Sequence, residues 1–285
     1  MFNKNRLKEV LGFFLLRVCI GVVGFVLVVI LYDIVSKGAG RISWEFLTAM
    51  PRNGMEEGGI FPAIVGTVMV TAITAVLSVP LGMGCAIYLN EYADDNRITR
   101  LVRMSIRNLS GVPSIVYGLF GVVLFVNFMH LGTSVLSAGL TLGLLTLPWT
   151  ITASEEALKS VPGSYRDGAL ALGASKWQAI RTNVLPYSVP GMLTGTILGL
   201  ARAAGETAPI LFTGAAFYLP FLPKSLSSQF MALPYHLYIM ATQHHAIVKV
   251  RPIAYGTALV LIALVFIMNL SAIILRYRLR KRKME

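Results

Sequence analysis

Charge is scarce in this chain. Only 13% of its 285 residues are Asp, Glu, Lys or Arg, against 55% hydrophobic, and mean hydropathy is +0.70. A soluble domain keeps about a quarter of its residues charged to cover its surface, so a water-soluble enzyme is excluded. Acidic residues are scarcer still, 13 against 25 Lys and Arg, a net charge of +12. In a soluble protein that balance suggests nucleic acid; here the cations sit mainly between apolar runs, and no nucleic-acid partner is expected. Cysteine is nearly absent. Cys19 and Cys85 both lie inside apolar stretches, far apart, so there is no disulfide framework and no metal-ligand spacing. The chain also lacks any Gly-Lys dipeptide, and with it the GxxxxGK[ST] cradle for nucleotide phosphates. No HExxH occurs among His130, His236, His244 and His245, and no Ser or Thr in a span has a base within helical reach, which argues against an intramembrane enzyme. No metal or cofactor is expected in the chain itself.

What is present is apolar length. A bilayer core about 30 Å thick takes about 20 apolar residues per helix, and six runs qualify, over 10–34, 61–89, 111–131, 135–153, 189–216 and 253–275. The first is longer than a signal-peptide core and predicts an uncleaved helix, with Arg17 and Asp33 serving as interface anchors. The stretch 225–245 carries Pro234 and His236 near its middle and is expected to form short helices on the outer surface or packed on the bundle. With the N-terminus, the 91–110 loop, the 155–188 loop and the tail on the cytoplasmic side, 17 Lys and Arg lie inside and 6 outside, the bias that orients membrane proteins. The expectation is one all-α membrane domain over 1–285, six-spanning, with both termini cytoplasmic.

The 155–188 segment is the largest inward loop, and its punctuation predicts two short helices. Gly173 suits the left-handed residue that ends the first, and Ser175 with Gln178 spells a capping box for the second. Apolar Ala169, Leu170, Leu172, Trp177 and Ile180 alternate with Arg166, Lys176 and Arg181. Such a loop either packs on its own bundle or docks a partner.

The run DGALALGASKWQAIRTNVLP, from Asp167 to Pro186, resembles the cytoplasmic signature of ABC-importer permeases: Glu-Ala-Ala, three residues, Gly, nine residues, Ile, one residue, Leu-Pro. Asp167, Gly168 and Ala169 stand at the Glu-Ala-Ala positions, Gly173 at the Gly, Asn183 at the Ile, and Leu185 and Pro186 at the end. NLSGVPSIVYGLFG from Asn108 and ARAAGETAPILFT from Ala201 further resemble the phosphate-import, PstA-type branch. The resemblance implies a type I permease bundle and a coupling helix, including Trp177, seated in a separate ATPase that binds ATP and Mg. It also implies a second, homologous permease forming a heterodimer, two ATPase subunits, an extracytoplasmic phosphate-binding protein, and a bacterial or archaeal cytoplasmic membrane.

Charge at mid-membrane costs about 2.5–3.5 kcal/mol per residue on insertion scales, so Arg202 and Glu206 are candidates for function. If the fifth span starts near Val189 they lie roughly 20 and 26 Å in, and their i, i+4 spacing predicts one helix face. Two readings stay open. They are a self-neutralising structural pair, or Arg202 offers its planar fork of donors to phosphate on the translocation path while Glu206 orients it. Sulfate or molybdate would suit the same cation, and an ion-coupled anion carrier is the competing class; the importer-type loop argues against it.

Overall fold

The computed structural model describes residues 4–281, with side chains over 11–278; the last four residues of the basic tail expected inside lie outside the described residues. Most of the described residues are helical; strand pairing among them is limited to a two-residue antiparallel pair, β1 (Pro51–Arg52) with β2 (Glu57–Gly58), and an isolated bridge between Ala215 and Phe230. Five helices are long and apolar enough to cross a membrane, over Leu11–Arg41, Phe61–Tyr92, Val135–Lys159, Lys176–Ala203 and Ile247–Arg278. A sixth crossing exists only as a bent pair, Arg97–Leu109 with Ser114–Phe128, which meet at 100°.

In chain order the helices begin with α1 (Lys4–Gly38), α2 (Trp44–Thr48), α3 (Phe61–Ile87) and α4 (Arg97–Leu109). They continue through α5 (Ser114–Gly121), α6 (Val135–Lys159), α7 (Ser164–Ala171) and α8 (Lys176–Ala179). The last four are α9 (Leu185–Ala203), α10 (Ala208–Thr213), α11 (Leu233–Thr242) and α12 (Ile247–Lys281). Three π-helical stretches, Tyr88–Tyr92, Val122–Phe128 and Ile180–Val184, extend α3 and α5 and lead into α9. Insertions of this kind recur at functional positions.

The bundle is built on α3 and α6, whose backbones come close because small residues leave room. A Cβ on Gly139 would meet Ile73 at 2.5 Å, and one on Gly143 would meet Leu77 at 2.4 Å. Without a hydrophobic drive between helices in lipid, such close packing is what holds spans together. By contrast, the apolar window of α1 has none of its residues buried.

Two of the expected spans are not continuous. The run over 111–131 does not begin at its first apolar residue: Pro113 caps α5, and Gly111 and Pro113 form an elbow after α4. From Ser114 to Phe128 the second limb is 15 residues, about 22 Å of helix at 1.5 Å per residue, shorter than an ordinary span of about 20 residues; it is the return crossing between α3 and α6, which run parallel with Ile73 beside Gly139 and Leu77 beside Gly143. The stretch expected to be the 91–110 loop is largely α4, an amphipathic helix. Arg97, Arg100, Arg103 and Arg107 recur along it at helical spacing while Ile98, Leu101 and Val102 stay exposed. The fifth span, expected over 189–216, breaks after Ala203. Pro209 has no N–H to give, and its ring would collide with the carbonyl of Gly205, so the helix stops and restarts as α10.

The segment 225–245 packs on the bundle rather than lying free on a surface. Met231, Leu233, Ile239 and Met240 are buried with Phe46, Met55, Ile60, Val250 and Ile253 at one end of the molecule, and Phe230 is buried against Val70, Val135 and Ile210. The backbone N–H of Leu233 donates to Thr67 Oγ1 at 2.9 Å. His236 is fully buried there with no hydrogen-bond partner among the described residues for either ring nitrogen. Burial, helped by the nearby His244, pushes its imidazole down to about 4. A base whose folded value lies below its unfolded one holds stability above the unfolded value and loses it as pH falls. The loss therefore begins near pH 6.5 and continues toward 4, and amounts to about 2 kcal/mol between pH 7 and 5. Thermal unfolding of the purified protein in detergent at the two pH values will show this loss, and His236→Leu will flatten it. An unchanged slope in the variant would assign the effect to other groups.

Candidate functional site: the loop and the Arg202 cavity

The loop after α6 folds as its punctuation predicts. α7 ends at Ala171 with Leu172 capping it, and Gly173 has φ +83°, the left-handed region. The N–H of Ala174 returns to the carbonyl of Ala169 at 3.1 Å, a Schellman-type closure. The capping box is complete: the N–H of Gln178 donates to Ser175 Oγ at 3.3 Å, and the N–H of Ser175 donates to Gln178 Oε1 at 2.7 Å. The apolar positions that looked like one set divide into two. Ala169, Ala179, Ile180 and Val184 turn inward, whereas Leu170, Leu172 and Trp177 are exposed, Leu172 at 91%. Asp167, Gly168, Gly173 and Pro186 are exposed beside them and Leu185 is half-buried. The loop is therefore anchored on its own bundle, the first of the two alternatives, and leaves an apolar knob of Leu170, Leu172 and Trp177 exposed.

What anchors it was not foreseen. Arg166 of α7 is bidentate on Glu91, Nε donating to Oε2 at 3.0 Å and Nη2 to Oε1 at 2.6 Å. It also donates to the carbonyls of Val161 and Leu158. Arg103 of α4 donates to Glu155 at 2.9 Å and to the carbonyl of Leu89 at 2.7 Å. Both carboxylates are buried, Glu91 at 9% and Glu155 at 9% exposure. The partners lie 75 and 52 residues apart in sequence, so no local pattern could have paired them. The one available signal was an acid at the end of an apolar run, Glu91.

Arg202 and Glu206 do not share a helix face, because α9 ends at Ala203. They still meet: Arg202 Nε lies 3.8 Å from Glu206 Oε1, with the arginine side chain 62% exposed and the glutamate 16%. That separation exceeds a hydrogen bond, so the pair is loose and the guanidinium fork is not saturated by it. Arg202 lines a cavity of about 280 Å³ together with the elbow from Leu109 to Ser114, Tyr117, Leu145, Thr146, Trp149 and Gly199. Leu145, Thr146 and Trp149 fall at the middle of the 25-residue α6, which puts the cavity at mid-bundle. Tyr117 donates to the carbonyl of Leu109 at 3.0 Å and Trp149 to that of Gly195 at 3.3 Å, fixing both walls. The start of α5 lines the same space, and a helix N-terminus carries partial positive charge that adds to the arginine's. Cation, helix start and hydroxyls around a space that holds several waters at ~30 Å³ each make an environment for a small anion.

The profile of the family described as binding-protein-dependent transport system inner membrane component matches residues 78–285. Among curated proteins, the phosphate transport system permease protein PstA of Yersinia pestis is 38% identical over 229 residues, covering 80% of this chain and 72% of that protein. PstA 1 of Mycobacterium tuberculosis H37Rv is 36% identical over 231 residues, covering 79% and 72%. The probable ABC transporter permease protein YqgI of Bacillus subtilis is 32% identical over 265 residues, covering 89% and 90%. Among solved structures, a bacterial ABC transporter involved in the import of alginate superposes with TM-score 0.67 at 15% identity, covering 96% of this chain and 99% of that one. The MetNI methionine ABC transporter, inward facing, gives TM-score 0.62 at 15% identity, covering 77% and 97%. At such identity these likenesses carry the fold, that of type I ABC-importer permeases. With the profile spanning most of its length, this chain belongs to the family of binding-protein-dependent transport system inner membrane components, which are transport subunits and not enzymes.

Proposed function

We propose that this chain is a permease subunit of an ATP-driven phosphate importer, supplying half of the translocation path. The observation that carries the reading is the Arg202 cavity at mid-bundle, in a chain whose relatives are named phosphate permeases. An isolated arginine fork is suited to a tetrahedral oxyanion, and its loose partner Glu206 prevents the anion from being held too tightly to leave.

Membership of the family brings an ATPase and a substrate-binding protein as partners. Beyond that, the full set is two ATPase subunits, an extracytoplasmic phosphate-binding protein and a second, homologous permease in a heterodimer. The bare apolar faces of α1 and α12 are suited to lipid and to that second permease. ATP and Mg belong to the ATPase, so this chain needs no cofactor. The exposed knob of Leu170, Leu172 and Trp177, flanked by Asp167, Gly168 and Gly173, is the part that enters the ATPase, and both termini lie on its side of the membrane.

The test is labelled phosphate uptake at low external phosphate in cells lacking this chain, restored with wild type, with sulfate and molybdate uptake followed in parallel. Phosphate uptake alone should fall on deletion and return on complementation. Unchanged phosphate uptake with loss of another oxyanion would reassign the cargo; continued uptake after ATP depletion at constant proton gradient would reassign the class.

A further inference from the structure

Resting on the reading of the loop as the ATPase contact, we infer that Glu91, Arg166 and Arg103 form the joint that passes movement of the loop to the wall of the Arg202 cavity. The π-helical turn Tyr88–Tyr92 ends α3 and is held from two sides. Through the Glu91 carboxylate it is bound by Arg166, the cation of the loop helix α7, in a fork geometry that fixes orientation as well as distance. Through the Leu89 carbonyl it is bound by Arg103 of α4, whose guanidinium is at the same time on Glu155 at the end of α6. Asn90 completes the turn by donating to Glu91 Oε1 at 2.8 Å.

From Arg103 the path to the cavity is short. Helix α4 runs on to Leu109 and the elbow from Leu109 to Ser114 is itself cavity lining, so eight residues of helix and turn separate Arg103 from Gly111, about 12 Å at 1.5 Å per residue. The outer face of α4 is bare. A rigid helix bolted near its middle and bent by 100° at its end acts as a crank. Displacing α7 moves the turn at Tyr88–Tyr92, that turn moves α4, and α4 repositions Ser110 to Ser114 opposite Arg202. Contiguity by itself shows only a route; coupling requires that both ends bias the same two-state element, which a thiol reporter on the cavity wall can read.

Ser114→Cys in a chain carrying Cys19→Ser and Cys85→Ser places a single thiol on that wall. In the complex assembled with its ATPase, the rate of maleimide labelling of this chain, read by mass, should differ about tenfold between the nucleotide-free and ATP-bound states, within the usual range of coupling between sites. Adding Glu91→Gln, which keeps the shape and loses the charge, should make the two rates equal while ATP hydrolysis continues. Arg166→Lys, which keeps the charge and loses the fork, should do the same and decides the matter where the glutamine variant does not assemble. Arg100→Ala, on the same helix, which removes the exposed pair with Asp95 before the helix start, is the control.

Nucleotide-dependent labelling that survives in both variants, or that is missing from the parent reporter, overturns the joint. Phosphate uptake in parallel proteoliposomes holding the wild-type chain answers separately for the cargo: no uptake there, with nucleotide-dependent labelling intact in the reporter, overturns the phosphate reading and leaves the joint standing.

Discussion

Arg202→Gln will reduce phosphate uptake by about a hundredfold or more while the amount of assembled complex stays at the wild-type level. Hydrogen bonds to a charged group contribute about 1.5–3 kcal/mol each, and a rate changes tenfold for every 1.36 kcal/mol, so losing one or two arginine contacts in the cavity is enough. The glutamine is shorter and has fewer donors but adds no bulk and keeps a polar amide, so the walls formed by Trp149, Gly199 and the elbow need not repack. What it removes is the positive charge at mid-bundle, and it leaves Glu206 unopposed beside the path, a second barrier to an anion. The measurement is uptake against an immunoblot of the purified complex. Two results would restore the structural reading of the pair. One is full uptake by a correctly assembled Arg202→Gln; the other is recovery of uptake in the double variant with Glu206→Gln, where charge balance returns without a cation. Recovery is not expected, because the geometry is loose at 3.8 Å and the arginine is largely exposed.

Some of this was legible in the residues themselves and some was not, and the division tracks the range of the interaction. The capping box of Ser175 and Gln178 and the left-handed Gly173 are set by three or four neighbouring residues, and both appear where the sequence put them. The long apolar helices come from hydropathy alone. The elbow at Gly111 and Pro113 was not anticipated, because a search for apolar runs passes over an amphipathic helix such as α4 and registers only the apolar limb after it. The break before Glu206 carried a signal in Pro209, but a proline disrupts the carbonyl four residues before it. The helix therefore stops ahead of Glu206 rather than kinking beyond it, and the expected shared face became a contact across a turn. The Glu91–Arg166 and Arg103–Glu155 pairs depend on the tertiary arrangement of four chain segments. In sequence those arginines read simply as part of the positive charge facing the cytoplasm.

Gly173→Val carries the other large effect. The complex should assemble in reduced amount and still hydrolyse ATP, with phosphate moved per ATP falling about tenfold, a coupling loss of the usual size between sites. The reason is conformational rather than steric, since a Cβ at this position would meet nothing within 4 Å. At φ +83° a side chain costs about 1–2 kcal/mol, and β-branching makes the position worse. The cheapest relief is for α7 to end elsewhere, which loosens the Ala174 to Ala169 closure and turns Leu172 and Trp177 out of register with the capped start of α8. The anchor at Arg166 lies seven residues upstream and stays in place, so the loop remains attached to the bundle while the knob it offers the ATPase is misaligned. Asparagine tolerates the left-handed region, so Gly173→Asn should retain most of the coupling. Equal loss in the asparagine and valine variants would mean that the position cannot accept a side chain at the ATPase contact, and equal retention in both would remove the turn from the coupling path.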